Sequence, residues 1–226
     1  NKAIIDATAP YAVAFKPNLA FYEAMGMAGH ELLARTAGYI KTHYPETLLI
    51  ADAKRGDIGN TAEAYARALF HYFPFDAVTL SPYMGSDTVT PFLKHPGKWA
   101  IVLALTSNPS SADYQHHGAP PLYQQVLQRT QELGSPENLM FVTGATQVAC
   151  LTEIRKIVPR HFLLVPGVGA QGGSLDEVAR HGLSPDCGLL VNSSRGILYA
   201  SKGEGFAQAA AQAAQQLQQQ MAKWLH

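Results

Sequence analysis

Short apolar runs rich in β-branched and aliphatic residues recur along the chain, each followed by a stretch with helical periodicity. The runs are Tyr11–Phe15, Leu48–Ala51, Ala77–Leu80, Ala100–Leu105, Leu139–Val142, Phe162–Val165 and Gly188–Val191. Between them lie amphipathic segments, notably Thr61–Phe73, Pro121–Leu133, Gln147–Ile157 and Ser174–His181. Asn60-Thr61-Ala62-Glu63 offers a helix cap with Glu three residues on, and Ser174 precedes Asp176 and Glu177 in a first turn. Strand–helix alternation predicts a parallel α/β fold. Continuous rather than alternating apolar strands fit a sheet covered by helices.

Polar residues and glycines cluster where each run ends: Lys16, Asp52-Ala53-Lys54, Ser81-Pro82, Thr106-Ser107-Asn108, Pro166-Gly167 and Asn192-Ser193-Ser194-Arg195. Active sites at the C-terminal ends of parallel strands mark barrels and doubly wound sheets alike. Seven strand–helix units are legible, and Lys2–Ala9 reads as the tail of a helix without its own strand. One further strand would make eight. The expected fold is therefore a (β/α)8 TIM barrel whose first strand is absent from the sequence as given. No linker divides residues 1–226, and the Ala/Gln-rich tail, about 204–225, suits a terminal packing helix. The longest irregular stretch, Asn108–Pro121, is long enough to expect a functional loop.

Composition narrows the function. The 226 residues carry 17 Lys and Arg against 17 Asp and Glu, a formal net charge of zero. That balance, without a basic run, argues against a nucleic-acid or polybasic membrane partner. No apolar run reaches the ~18 residues of a membrane span, and no secretory leader is read, so a cytoplasmic protein is expected. The chain opens Asn1-Lys2-Ala3 without an initiator Met, as a fragment or a trimmed start would. Cys150 and Cys187 lack metal-ligand or redox spacing and read as reduced, partly buried thiols.

The densest chemistry is Asp52-Ala53-Lys54-Arg55-Gly56-Asp57. Residues two apart on a strand share a face, so Asp52 and Lys54 project together into the barrel mouth. Asp57 follows in the turn and Lys16 ends the neighbouring strand, which predicts an alternating set of two ammonium and two carboxylate groups that satisfy one another. The plain alternative is a structural salt-bridge network at a barrel rim. A second cluster, Val165-Pro166-Gly167-Val168-Gly169-Ala170-Gln171-Gly172-Gly173-Ser174, leaves a strand and enters a helix. Its glycines can aim backbone N–H groups at an anion. Ser194 and Arg195 follow the last strand, where barrels commonly hold phosphate, and Arg195 can fork two hydrogen bonds to it. Gly167, Gly169 and Gly172 fit G-x-G-x-x-G, but without the following βαβ units of a dinucleotide fold. His116-His117 lacks a carboxylate triad and reads as a loop tip, so no metal site is expected. Ser107 could bind a ligand or form a turn.

Together these segments resemble the orotidine 5′-phosphate decarboxylase family over about Ile4–Ala200. Asp52–Thr61 looks like its D-x-K-x-x-D signature and following Thr, and Phe15-Lys16-Pro17-Asn18 like its lysine segment. Thr106–Pro109 looks like its pyrimidine loop, and Pro166–Gly173 with Ser194-Arg195 like its phosphate grip. The resemblance implies cofactor-independent decarboxylation of orotidine 5′-phosphate to uridine 5′-phosphate in de novo pyrimidine biosynthesis. It implies Lys54 as proton donor, Asp52 beside the substrate carboxylate and Lys16 at the ribose. Ser107 would read the pyrimidine edge, Gln171 bridge pyrimidine loop and phosphate, and Arg195, beside Ser194, hold the phosphate. It further implies a homodimer in which Asp57 and Thr61 reach the partner's site. One feature departs: the family's first-strand aspartate has no counterpart, and Asp6, in a helical stretch, does not replace it. The rivals are a Mg²⁺-dependent sugar-phosphate decarboxylase or aldolase on the same scaffold, which typically has an acid in place of Lys16, and a non-catalytic phosphometabolite-binding protein.

Overall fold

In the computed structural model, residues 1–168 and 172–225 are described. In chain order the elements are α1 (Lys2–Thr8), β1 (Ala14–Phe15), α2 (Leu19–Glu23), α3 (Gly26–His43), β2 (Leu48–Arg55), α4 (Gly59–Arg67) and β3 (Ala77–Leu80). Then come α5 (Thr90–Leu93), β4 (Trp99–Leu105), α6 (Leu122–Thr130), β5 (Leu139–Thr143), α7 (Val148–Ile157) and β6 (Phe162–Pro166). The chain continues through α8 (Leu175–Gly182), β7 (Leu189–Asn192), α9 (Arg195–Leu198) and α10 (Phe206–Ala222). Among the described residues seven strands form one sheet in the order β1 to β7, every pair parallel. All seven expected strands are present.

Two-residue periodicity divides each strand between two cores. Ile50, Ala77, Ile101, Met140, Val142 and Leu164 form a compact cluster on the inner face of the curled sheet. Their neighbours Leu49, Ala51, Val78, Ala100, Val102, Leu163 and Val165 point the other way and pack with helix residues such as Leu33, Leu127 and Leu151. Leu48 and Ile50 share the inward face, so the next residue on that face is Asp52. The sheet thus aims a carboxylate into the mouth by simple alternation.

Outside the sheet, α10 lies against α1 and touches α8. Trp224 Nε1 donates to Asp176 Oδ1 at 3.0 Å. Asp6 on α1 accepts from Tyr39 at 2.7 Å and Tyr44 at 2.8 Å, which commits it to helix packing. No helix among the described residues is long and apolar enough to cross a membrane.

Three local expectations are revised. The first run is a strand only at Ala14–Phe15, because a 3₁₀ turn occupies Ala9–Tyr11. Helix α4 starts at Gly59, one residue before the expected Asn60 cap, and has no side-chain cap. The turn before it is held instead by Asp57 Oδ1, which accepts from Ile58 N–H at 2.8 Å. The Asn108–Pro121 stretch is not wholly irregular: Pro109–Asp113 forms a 3₁₀ turn. Ser174 does cap α8, accepting from Glu177 N–H at 3.3 Å. Both cysteines are free and partly buried.

Candidate active site

The site begins where β2 loses its register. Ala51 pairs with Val78 on β3, and the next pairing is Arg55 with Leu80. Asp52, Ala53 and Lys54 therefore stand opposite Thr79 alone, which makes a bulge. Bulges re-aim side chains and are common beside active sites. Lys54 adopts φ +48°, a left-handed conformation uncommon for a residue with a side chain. The bulge amides are not left bare. Ala53 N–H and Lys54 N–H donate to Thr79 Oγ1 at 3.0 and 2.9 Å. Thr79 Oγ1 in turn lies 3.2 Å from Asp52 Oδ1.

Asp52 is the centre of the charge arrangement. Its Oδ2 receives Lys16 Nζ at 2.5 Å and its Oδ1 receives Lys54 Nζ at 2.5 Å. Lys16 follows β1 directly, and Asp52 N–H donates to Pro17 O at 3.0 Å, which fixes the two segments side by side. Burial pushes the Asp52 carboxyl up, but the charges and hydrogen bonds of Lys16 and Lys54 outweigh it. The net result is a pKa below the usual carboxylate value. Asp52 and Lys16 are largely buried, whereas the Lys54 side chain is 49% exposed. Lys54 is thus the most accessible member of the set.

Asp57 does not join this set within one chain. Arg55 ends the strand, engaged by Glu23 and by Ala53 O. The chain then turns through Gly56, and the Asp57 carboxylate accepts its own neighbour's N–H. Thr61, on the first turn of α4, is exposed. The expected four-charge array is therefore a three-charge array of Lys16, Asp52 and Lys54.

The loop after β4 is built from polar pairs. Thr106 N–H donates to Gln115 Oε1 at 2.8 Å, and Gln115 Nε2 donates to Thr106 Oγ1 at 2.9 Å. Gln147 Nε2 donates to Thr106 O at 3.3 Å and Thr146 Oγ1 to Ser107 O at 3.2 Å. The loops after β4 and β5 approach so closely that a Cβ on Gly144 would lie 2.5 Å from Ser107 N. Ser107 is half-buried there. A cavity of about 650 Å³ opens beside it, lined by residues that include Ser107, Asn108, His116 and Gln147.

The glycine-rich segment turns at Gly167, φ +94°, and Gly172, φ +86°. Gly173 N–H donates to Gly167 O at 3.3 Å, closing the loop at its base. Gln171 lies outside the described residues. Ser194 and Arg195 are exposed at the entry to α9; Arg195 O accepts from Tyr199 N–H at 3.1 Å, and its side chain has no hydrogen bond or ion pair with another described residue. No cluster of three or more His, Cys, Asp or Glu able to hold a metal occurs among the described residues. Sequence reasoning missed Thr79, Gln115 and Gly144. Only Gly144, a glycine just past a strand end, carried a local signal.

Fold and mouth together define a TIM-barrel-type α/β protein with a lysine–carboxylate centre at the C-terminal ends of its strands. Comparison with known proteins makes this specific. The description "Orotidine 5'-phosphate decarboxylase / HUMPS family" matches residues 1–212. A protein of Phocaeicola vulgatus named orotidine 5'-phosphate decarboxylase is 58% identical over 226 residues, covering 99% of this chain and 83% of that protein. One of the same name from Bacteroides fragilis is 56% identical over 228 residues, covering 100% and 83%. The solved structure of Leishmania donovani OMP decarboxylase superposes with a TM-score of 0.86 at 36% identity, covering 99% of this chain and 85% of that one. The chain belongs to the orotidine 5'-phosphate decarboxylase / HUMPS family.

Proposed function

We propose that this chain catalyses the decarboxylation of orotidine 5′-phosphate to uridine 5′-phosphate in de novo pyrimidine biosynthesis, without a cofactor. The single observation that carries this reading is the Asp52 carboxylate clasped by Lys16 and Lys54 at 2.5 Å each, in a member of this family. The bond from C6 to the carboxylate breaks, its electron pair stays on C6, and CO₂ leaves. The Lys54 ammonium stabilises charge that develops only in the transition state and then transfers a proton from Nζ to C6. Asp52 holds both ammonium groups in register and lies beside the substrate carboxylate. Lys16 completes the network at the ribose.

Ser107 reads the pyrimidine edge from its clamped turn. Gln171 bridges that loop and the phosphate, which Ser194, Arg195 and backbone N–H groups hold. The phosphate is remote from C6, so its binding energy serves positioning and closure. The Lys16 ammonium favours this reaction over Mg²⁺-dependent chemistry on the same scaffold, where an acid is expected at that place.

The enzyme acts in the cytoplasm as a homodimer whose Asp57 and Thr61 complete the partner's site. Asp57, left out of its own chain's lysine network, supports this. So do Phe21, Ile58, Tyr83 and Met84, exposed apolar side chains in segments that follow β1, β2 and β3 at the mouth. Adding orotidine 5′-phosphate to the protein should change its ultraviolet absorbance, and Lys54→Ala should abolish that change. A folded dimer that turns over none of this nucleotide would sink the reading. Mixed Asp52→Ala and Asp57→Ala subunits should recover part of the activity. No recovery after demonstrated subunit exchange would refute the shared site.

A further inference from the structure

Thr79 sits where three residues of β2 face one residue of β3. A hydroxyl has one proton to donate and two lone pairs to accept with. Thr79 Oγ1 uses all three: it accepts from Ala53 N–H and Lys54 N–H and donates to Asp52 Oδ1 at 3.2 Å, with Ala51 O farther off at 3.4 Å. The residue is 1% exposed, so water cannot take its place. Its β-branch restricts χ1, so the hydroxyl is held in one orientation. The same atom thus supports the left-handed backbone of Lys54 and one oxygen of the carboxylate that Lys54 binds. We propose that Thr79 is a positioning residue for decarboxylation: its hydroxyl fixes the Lys54 ammonium over the reacting carbon through the β2 bulge. This inference rests on the function proposed above.

The test compares Thr79→Val, which keeps the shape and removes the hydroxyl, with Thr79→Ser, which keeps the hydroxyl. Both are made in the full chain. The readouts are kcat and KM for orotidine 5′-phosphate, the Kd of uridine 5′-phosphate by calorimetry, and the melting temperature. Thr79→Val should lose about 10²-fold in kcat, the scale of a ~1 Å misplacement. KM and product affinity should stay unchanged, because the phosphate and pyrimidine contacts lie on other loops. Thr79→Ser should recover most of kcat. Equal kcat in the Val and Ser variants overturns the proposal. A loss of kcat matched by a loss of product affinity also overturns it, since that is general loosening. If Thr79→Val does not fold, Thr79→Ala replaces it with the same two outcomes. Failure of the functional reading is separate: the unmutated protein would then show no turnover.

Discussion

The two ends of the barrel handle a buried cation in opposite ways. At the mouth, Lys16 and Lys54 are set on a single carboxylate, in a bulged strand with a left-handed lysine. At the floor, Arg155 has no carboxylate partner among the described residues. Its guanidinium donates to four backbone carbonyls: Gly182 O at 2.6 Å, Val158 O at 3.1 Å, His161 O at 2.6 Å and Gly188 O at 2.6 Å. These carbonyls end α7 and α8 and lead into β6 and β7. Burial lowers the Arg155 pKa to about 10, still far above neutral pH. The floor uses a charge as a tie between backbone segments. The mouth holds its charges on each other, with one lysine side chain half open to solvent. Barrel floors serve stability and mouths serve chemistry, and here the same kind of group does each.

The sharpest way to break this comparison is to remove each cation. Lys54→Ala should lower kcat by about 10⁴-fold or more, since in the proposed reaction it removes both a charge stabiliser and a proton donor. Its melting temperature should barely move. Arg155→Met should do the reverse. It leaves buried carbonyls without donors and should cost about 3–5 kcal/mol in urea unfolding, with kcat per folded molecule retained. A kcat loss in Arg155→Met at full folding would blur the division between the two ends.

The smallest expected effect is on pH dependence. His161 is 6% exposed and packs on Phe141, and neither ring nitrogen has a hydrogen-bond partner among the described residues. Burial, and then the Arg155 charge, hold its pKa below the usual imidazole value of 6.5. Below that value the unfolded chain takes up a proton that the folded chain refuses. Stability from this residue is therefore complete above about pH 6.5 and lost as pH falls below it, with a slope of at most ~1.4 kcal/mol per pH unit. His161→Leu should flatten the urea-unfolding profile between pH 7 and 5. An unchanged slope would show that the folded chain takes up the His161 proton as readily as the unfolded chain does.

Much of this was legible in the chain. The strands announce themselves because a sheet covered on both faces needs unbroken β-branched and aliphatic runs. Asp52 and Lys54 stood out because charges interrupt such a run. What sequence could not show is what depends on register. Thr79 is one hydroxyl in an apolar strand, and its partners lie 25 to 27 residues away on β2. Arg155 reads as an ordinary surface charge late in an amphipathic helix, and two of its acceptors lie 27 and 33 residues away. Asp57 falls by sequence in the turn after β2, and only the structure shows its carboxylate held there by the Ile58 N–H, apart from the lysines.

The contact between Gly144 and the Ser107 backbone has a consequence for variation. No other amino acid fits at position 144 without pushing the neighbouring loop away. On the proposed function, enlarging the cavity beside Ser107 for a larger base would mean moving the two loops together. Position 144, outside the cavity's lining, would thereby limit how far substrate range can drift.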